Sequence, residues 1–111
     1  MAQVIWQKRA EGELYKLLVK GFLEFGESTA NKFSDRVAYI NTELTKYTEI
    51  GYFEPLLKDR KKSYRSYHIN SRFKLIYYYN SKTDIVNVAD IWDMRRDPKN
   101  LAKRIKPNNK T

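Results

Sequence analysis

Ala30, Phe33, Val37, Ile40, Leu44 and Tyr47 recur at steps of three, four, three, four and three. That spacing lines one face of an α-helix and leaves Lys32, Asp35, Arg36 and Glu43 to solvent. A similar pattern precedes it. Ala10, Leu14, Leu17, Leu18, Gly21 and Phe25 sit among Glu11, Glu13, Lys16 and Lys20, which predicts a helix from about Lys8 to Phe25. Gly26 ends that helix, and Ser28 or Thr29 is expected to cap the next. Two amphipathic helices joined by so short a turn must pack as an antiparallel hairpin, and their shared apolar face needs another layer to cover it.

The rest of the chain supplies that layer. Val4-Ile5-Trp6 is a short β-favouring run ahead of the first helix. Gly51 and Pro55 break the helical pattern, and residues 49–62 read as a connection ending in the charged run Lys58-Asp59-Arg60-Lys61-Lys62. Strand patterns then cover Tyr64 to Ile69, Phe73 to Tyr79 and Ile85 to Trp92, with turns at Asn70-Ser71 and Asn80 to Asp84. Asp97-Pro98 has the form of a cap and first residue of a short last helix carrying Leu101, Ala102 and Ile105. The predicted order is β-α-α-β-β-β-α: an α+β fold, one domain over residues 1–105, with a helical hairpin on one face of an antiparallel sheet. Residues 106–111 read as a polar tail.

Charge says most about partners. The chain has 22 Lys+Arg against 13 Asp+Glu, a formal net charge of +9. Residues 58–79 hold seven basic and one acidic side chain, residues 95–111 hold the same, and all other residues therefore sum to −3. Clustered positive charge attracts polyanions, so nucleic acid or an acidic protein partner is expected over a basic surface that merely aids solubility. With no cysteine and a lone histidine, His68, neither a disulfide framework nor a metal site is expected. No cofactor is expected. No apolar run has the length of a signal peptide or a membrane span, so a cytoplasmic protein without membrane contact is expected.

In this layout the sequence resembles the RelE/ParE toxin superfamily, from Val4 to about Leu101. Four pieces carry the resemblance, in order. They are Val4-Ile5-Trp6 with Arg9-Ala10-Glu11 and Leu14; Phe25-Gly26, Ala30, Phe33 and Leu44 with Glu49-Ile50-Gly51; Tyr64-Arg65-Ser66 with Phe73-Lys74-Leu75-Ile76-Tyr77; and Asp93-Met94-Arg95-Arg96-Asp97-Pro98. The resemblance implies the growth-inhibiting toxin of a type II toxin–antitoxin, plasmid-stabilisation-type system. It also implies a cognate antitoxin as partner, with a homodimer or a toxin–antitoxin hetero-oligomer as the assembly. It leaves two activities open: RelE-like members cut messenger RNA on the ribosome, whereas ParE-like members poison DNA gyrase.

Metal-independent RNA cleavage of the RelE-like kind needs a base for the ribose 2′-OH, cations for the phosphate and an acid for the leaving oxygen. By resemblance, Arg65 and Lys74 match basic positions of such a site, and Arg95 or Arg96 matches its last arginine. Tyr67 stands where a second lysine is usual, and Leu101 near a usual tyrosine. Arg65, Tyr67, Lys74, Arg95 and Arg96 are therefore the expected working surface, catalytic in an endoribonuclease and merely contacting in a gyrase poison. The gaps at Tyr67 and Leu101 tilt this reading to gyrase. An inactive relative or a basic nucleic-acid-binding module also fits, and a plainer, less favoured reading makes Arg65, Arg72 and Lys74 a solvated sheet face. Alternation puts His68 on the face opposite Arg65 and Tyr67, where a rim role is expected before a catalytic one. Tyr77 and Tyr79 share a face with Leu75 and are expected in the core rather than stacking on bases.

Overall fold

The computed structural model describes residues 1–106; all of the expected polar tail beyond Lys106 lies outside the described residues. Strand β1 (Gln3–Trp6) leads into α1 (Lys8–Phe25) and α2 (Glu27–Lys46). Then come β2 (Tyr52–Phe53), a single 3-10 turn (Pro55–Leu57), β3 (Arg65–His68), β4 (Phe73–Asn80), β5 (Ile85–Asp93) and α3 (Pro98–Arg104).

One residue separates the first two helices. Gly26 takes a φ of 94°, open to glycine at little cost, and its N–H closes the last turn onto the Phe22 carbonyl. Because α2 starts at Glu27, Ser28 and Thr29 fall inside its first turn. Neither caps it, and the Thr29 hydroxyl turns back to the Phe25 carbonyl instead. Asp97 does cap α3, accepting from the Lys99 N–H at 3.0 Å with Pro98 as first residue.

The five strands lie in the order β1-β5-β4-β3-β2. The sheet is mixed rather than wholly antiparallel, since β1 runs parallel to β5, with Gln3 opposite Ile85 and Trp6 opposite Val88. A parallel neighbour needs a long crossover, and here everything from α1 to β4 serves as one. The fifth strand, β2, has two residues paired to Ser66 and Arg65, too few to leave a pattern in sequence.

Both faces of the sheet are covered. Leu75, Tyr77, Val86, Val88 and Ile91 pack under the hairpin against Ala10, Val37, Ile40 and Leu44, and Tyr79 joins them as alternation predicts. Ile76, Tyr78, Ala89 and Trp92 point the other way, onto Leu57 of the 3-10 turn and Leu101 and Ile105 of α3. Helix α1 buries one stripe, with Ala10 enclosed and Leu14 and Leu17 packed on the core, whereas Tyr15 (71 %), Phe22 (53 %), Leu23 (75 %) and Phe25 (67 %) are exposed. No helix among the described residues is long and apolar enough to cross a membrane.

Candidate functional site

The expected working surface is divided by the sheet. Arg65 and Tyr67 share the hairpin side, opposite Tyr77 and Leu75. Arg65 is an internal brace there. Its guanidinium donates to the Gly51 carbonyl at 2.7 Å and the Glu49 carbonyl at 3.1 Å, pairs with the Glu49 carboxylate, and lies 4.0 Å from the Phe53 ring centroid. Tyr67 is half-buried against the hairpin core. Lys74 pairs across the strands with His68 and so points to the opposite side, correcting the expectation that it would stand with Arg65. Arg95 and Arg96 are exposed. Arg95 reaches Asp93, while Arg96 extends over the Trp92 ring, 4.9 Å from its centroid. Lys74 and Arg96 thus both border Trp92, Lys74 as its cross-strand partner and Arg96 over its ring.

A row of side chains crosses the sheet on this side: His68 on β3, Lys74 on β4 and Trp92 on β5, each directly opposite the next. Tyr52 on β2 completes it. Its hydroxyl and His68 Nε2 share a 2.9 Å hydrogen bond, with the two rings edge to face at 5.6 Å. Both residues are exposed. Below them Glu54 is buried and fully engaged. It accepts from Ser66 Oγ at 2.7 Å and the Leu56 N–H at 3.1 Å, and forms an ion pair with Lys74 Nζ. Burial pushes the Glu54 carboxyl pKa up, but these donors outweigh it and hold it below the ordinary carboxylate value. Glu54 thus stays ionised and anchors the Lys74 ammonium beside the exposed His68–Tyr52 pair.

Sequence reasoning missed Tyr52 and Glu54, since both lie in the segment read as a connection. The available signal was the aromatic pair Tyr52-Phe53 directly after Gly51. Gly51 itself is fixed by contact. Its N–H donates to the Tyr77 hydroxyl at 2.9 Å, and a Cβ there would stand 2.6 Å from the Ser66 carbonyl oxygen. A basic or histidine side chain beside a hydroxyl, flanked by cations, can take a proton from an alcohol and offset charge on a phosphate. Among the described residues, no group of three or more His, Cys, Asp or Glu is placed to hold a metal ion.

No family model matches this sequence, and no curated protein matches it either. Solved structures do match. A structure described as a chromosomal ParDE toxin–antitoxin system from P. aeruginosa superposes with a TM-score of 0.66 at 14 % identity, over 84 % of this chain and 96 % of that one. A metal-bound toxin from Helicobacter pylori gives a TM-score of 0.61 at 17 % identity, over 86 % of this chain and 97 % of that one. With its helical hairpin, mixed sheet and short last helix, the chain has the fold of the RelE/ParE toxins.

Proposed function

We propose that this chain is the toxin of a toxin–antitoxin pair and that it cuts RNA on the α3 side of its sheet. The shared fold supports the first half. One observation carries the second: His68 and Tyr52 form a hydrogen-bonded, solvent-facing pair directly beside Lys74. In this reading His68 takes the proton of a ribose 2′-OH as its oxygen bonds to the adjacent phosphorus. Tyr52 orients the imidazole. Arg96 supplies the cation that offsets the charge building on the phosphoryl oxygens, with Lys74, already paired to Glu54, adding less, and the 5′-oxygen leaves with a proton returned by the imidazolium or water. The products are a 2′,3′-cyclic phosphate and a 5′-hydroxyl end. The protein works in the cytoplasm until an antitoxin binds it.

Action on DNA gyrase is the second reading, and the fates of Arg65 and Lys74 favour it. Both cations are spent in internal pairs, with Glu49 and Glu54.

Induction of the chain alone is expected to stop bacterial growth, and the neighbouring antitoxin gene is expected to restore it. Mapping of transcript ends in the induced culture, with a gyrase supercoiling assay on the purified protein, separates the targets. New cyclic-phosphate ends that vanish in His68→Ala support RNA cutting. Intact transcripts with inhibited supercoiling replace it with gyrase, and normal growth at high soluble levels removes the toxin reading.

A further inference from the structure

The charged run 58–62 and the described part of the second basic cluster, residues 95–106, come together on one side of the sheet. Leu57 packs with Leu101 and Ile105, and Arg60 locks the charged run onto α3 by donating to the Ile105 carbonyl at 2.8 Å and the Ala102 carbonyl at 2.7 Å. Residues 58–62 carry four cations and one anion, and residues 95–106 carry six cations and one anion. Together they account for +8 of the net +9, leaving +1 for everything else. Arg60 and Arg104 are turned inward to carbonyls and to Asp90, and the buried Lys62 Nζ lies 4.6 Å from the Tyr78 ring centroid. Lys58, Lys61, Arg95, Arg96, Lys99, Lys103 and Lys106 stay exposed.

From this one-sided charge we infer that the face built by α3 and residues 58–62 is a track for an RNA backbone, leading to the His68–Lys74–Trp92 row. The inference rests on the RNA-cutting reading and extends it from the reacting phosphate to the strand that delivers it. An acidic protein would meet the same charge, but a stable protein interface also needs an apolar centre. Within residues 54–62 and 93–106, Leu56, at 37 %, is the one exposed large hydrophobic side chain. The exposed apolar residues Tyr15, Phe22, Leu23 and Phe25 lie instead on α1, which packs on the hairpin side. Phosphates need cations without that apolar centre, and mobile lysines suit a polymer held by its backbone rather than by its bases. Arg96 lies over Trp92 where this face meets the row, so the track and the site are continuous.

The test is fluorescence anisotropy with a labelled single-stranded 2′-O-methyl oligonucleotide, which binds but cannot be cut. Wild-type affinity is expected to fall steeply with salt, with a log–log slope of about −3 to −5 if roughly four to seven phosphates are neutralised. A variant carrying Lys58→Glu, Lys61→Glu, Lys99→Glu and Lys103→Glu is compared with one carrying Lys16→Glu, Lys20→Glu, Lys32→Glu and Lys46→Glu. Both change the net charge equally, and all eight positions are exposed helix or loop residues. The first is expected to lose on the order of 100-fold in affinity, and the second only a few-fold from long-range charge. Gln at the same positions replaces Glu if a reversed protein does not fold. Equal losses in the two variants, or no loss in the first, overturn the track. So does polyglutamate displacing the oligonucleotide as well as unlabelled RNA does, which assigns the face to an acidic protein. The function reading fails separately: His68→Ala that still cuts RNA removes the catalytic assignment, whatever the binding variants do.

Discussion

Asp90 on β5 holds the guanidinium of Arg104 on α3 at 2.7 Å through Oδ1, while its buried Oδ2 has no hydrogen-bond partner. Burial dominates and pushes the Asp90 pKa up to about 6, although Arg104, the Ile91 N–H and Arg9 pull down. The folded state therefore binds a proton that the unfolded chain, titrating near 3.8, has already lost. Asp90 contributes stability that is complete below pH 3.8 and is lost as pH rises to about 6, by up to about 3 kcal/mol. Urea unfolding of wild type and Asp90→Asn from pH 4 to pH 7 isolates this contribution. The gap between the two is expected to shift towards the variant as pH rises; a gap independent of pH refutes the assignment.

Lys74→Met leaves the buried Glu54 carboxylate with Ser66 and the Leu56 N–H but without its cation. Loss of one partner of such a pair costs on the order of 3–5 kcal/mol. Without Lys74, burial pushes the Glu54 pKa up, so this variant is expected to gain stability relative to wild type as pH falls. Glu54→Leu combined with Lys74→Met is expected to recover most of the loss in thermal unfolding. A double variant as unstable as Lys74→Met alone contradicts the pairing.

Glycine substitutions should split by position. Gly51→Ala drives a methyl group against the Ser66 carbonyl and the Tyr77 ring, at 2.6 and 2.9 Å. It is expected to cost several kcal/mol, on the order of other overpacked sites. Gly12→Ala and Gly21→Ala meet nothing within 4 Å and sit inside α1. Each is expected to stabilise by up to about 1 kcal/mol. Calorimetry reads all three.

Tyr52 and His68 touch each other at the surface, so substitution there should alter chemistry rather than folding. His68→Ala is expected to lower RNA cleavage on the order of 10²–10⁴-fold with an unchanged melt. Tyr52→Phe is expected to have a smaller effect and to shift the pH profile of cleavage. A cleavage rate unmoved by either substitution excludes the pair from the reaction.

The helices and long strands were legible because each keeps its period over many residues: α2 through Ala30 to Leu44, and β4 through side chains that alternate between two buried faces, Leu75 and Tyr77 to one, Ile76 and Tyr78 to the other. The site was less so. Lys74 read as a surface cation, since alternation gives the side a residue points to but not what waits there. Glu54, its partner, lies twenty residues earlier in a stretch without period. His68 was assigned to the correct face, yet its partner Tyr52 belongs to a two-residue strand that pattern alone cannot find. Arg65, matched by resemblance to a catalytic cation, proved a brace because two carbonyls of the unpatterned segment converge on it.

The pairing of β1 with β5 sets an order of assembly. Val4 meets Val86 and Trp6 meets Val88, across more than eighty intervening residues, whereas α1 and α2 meet across one. Contacts between neighbours in sequence close early and distant ones late. The hairpin is thus expected to form first and the edge strand last, after β4 and β5 have paired. Until β1 docks, β5 offers an unpaired edge rich in Ile, Val and Ala to any passing strand. Strand β1, which contributes little to the site, therefore closes the β5 edge against self-association only when it docks at the end of folding.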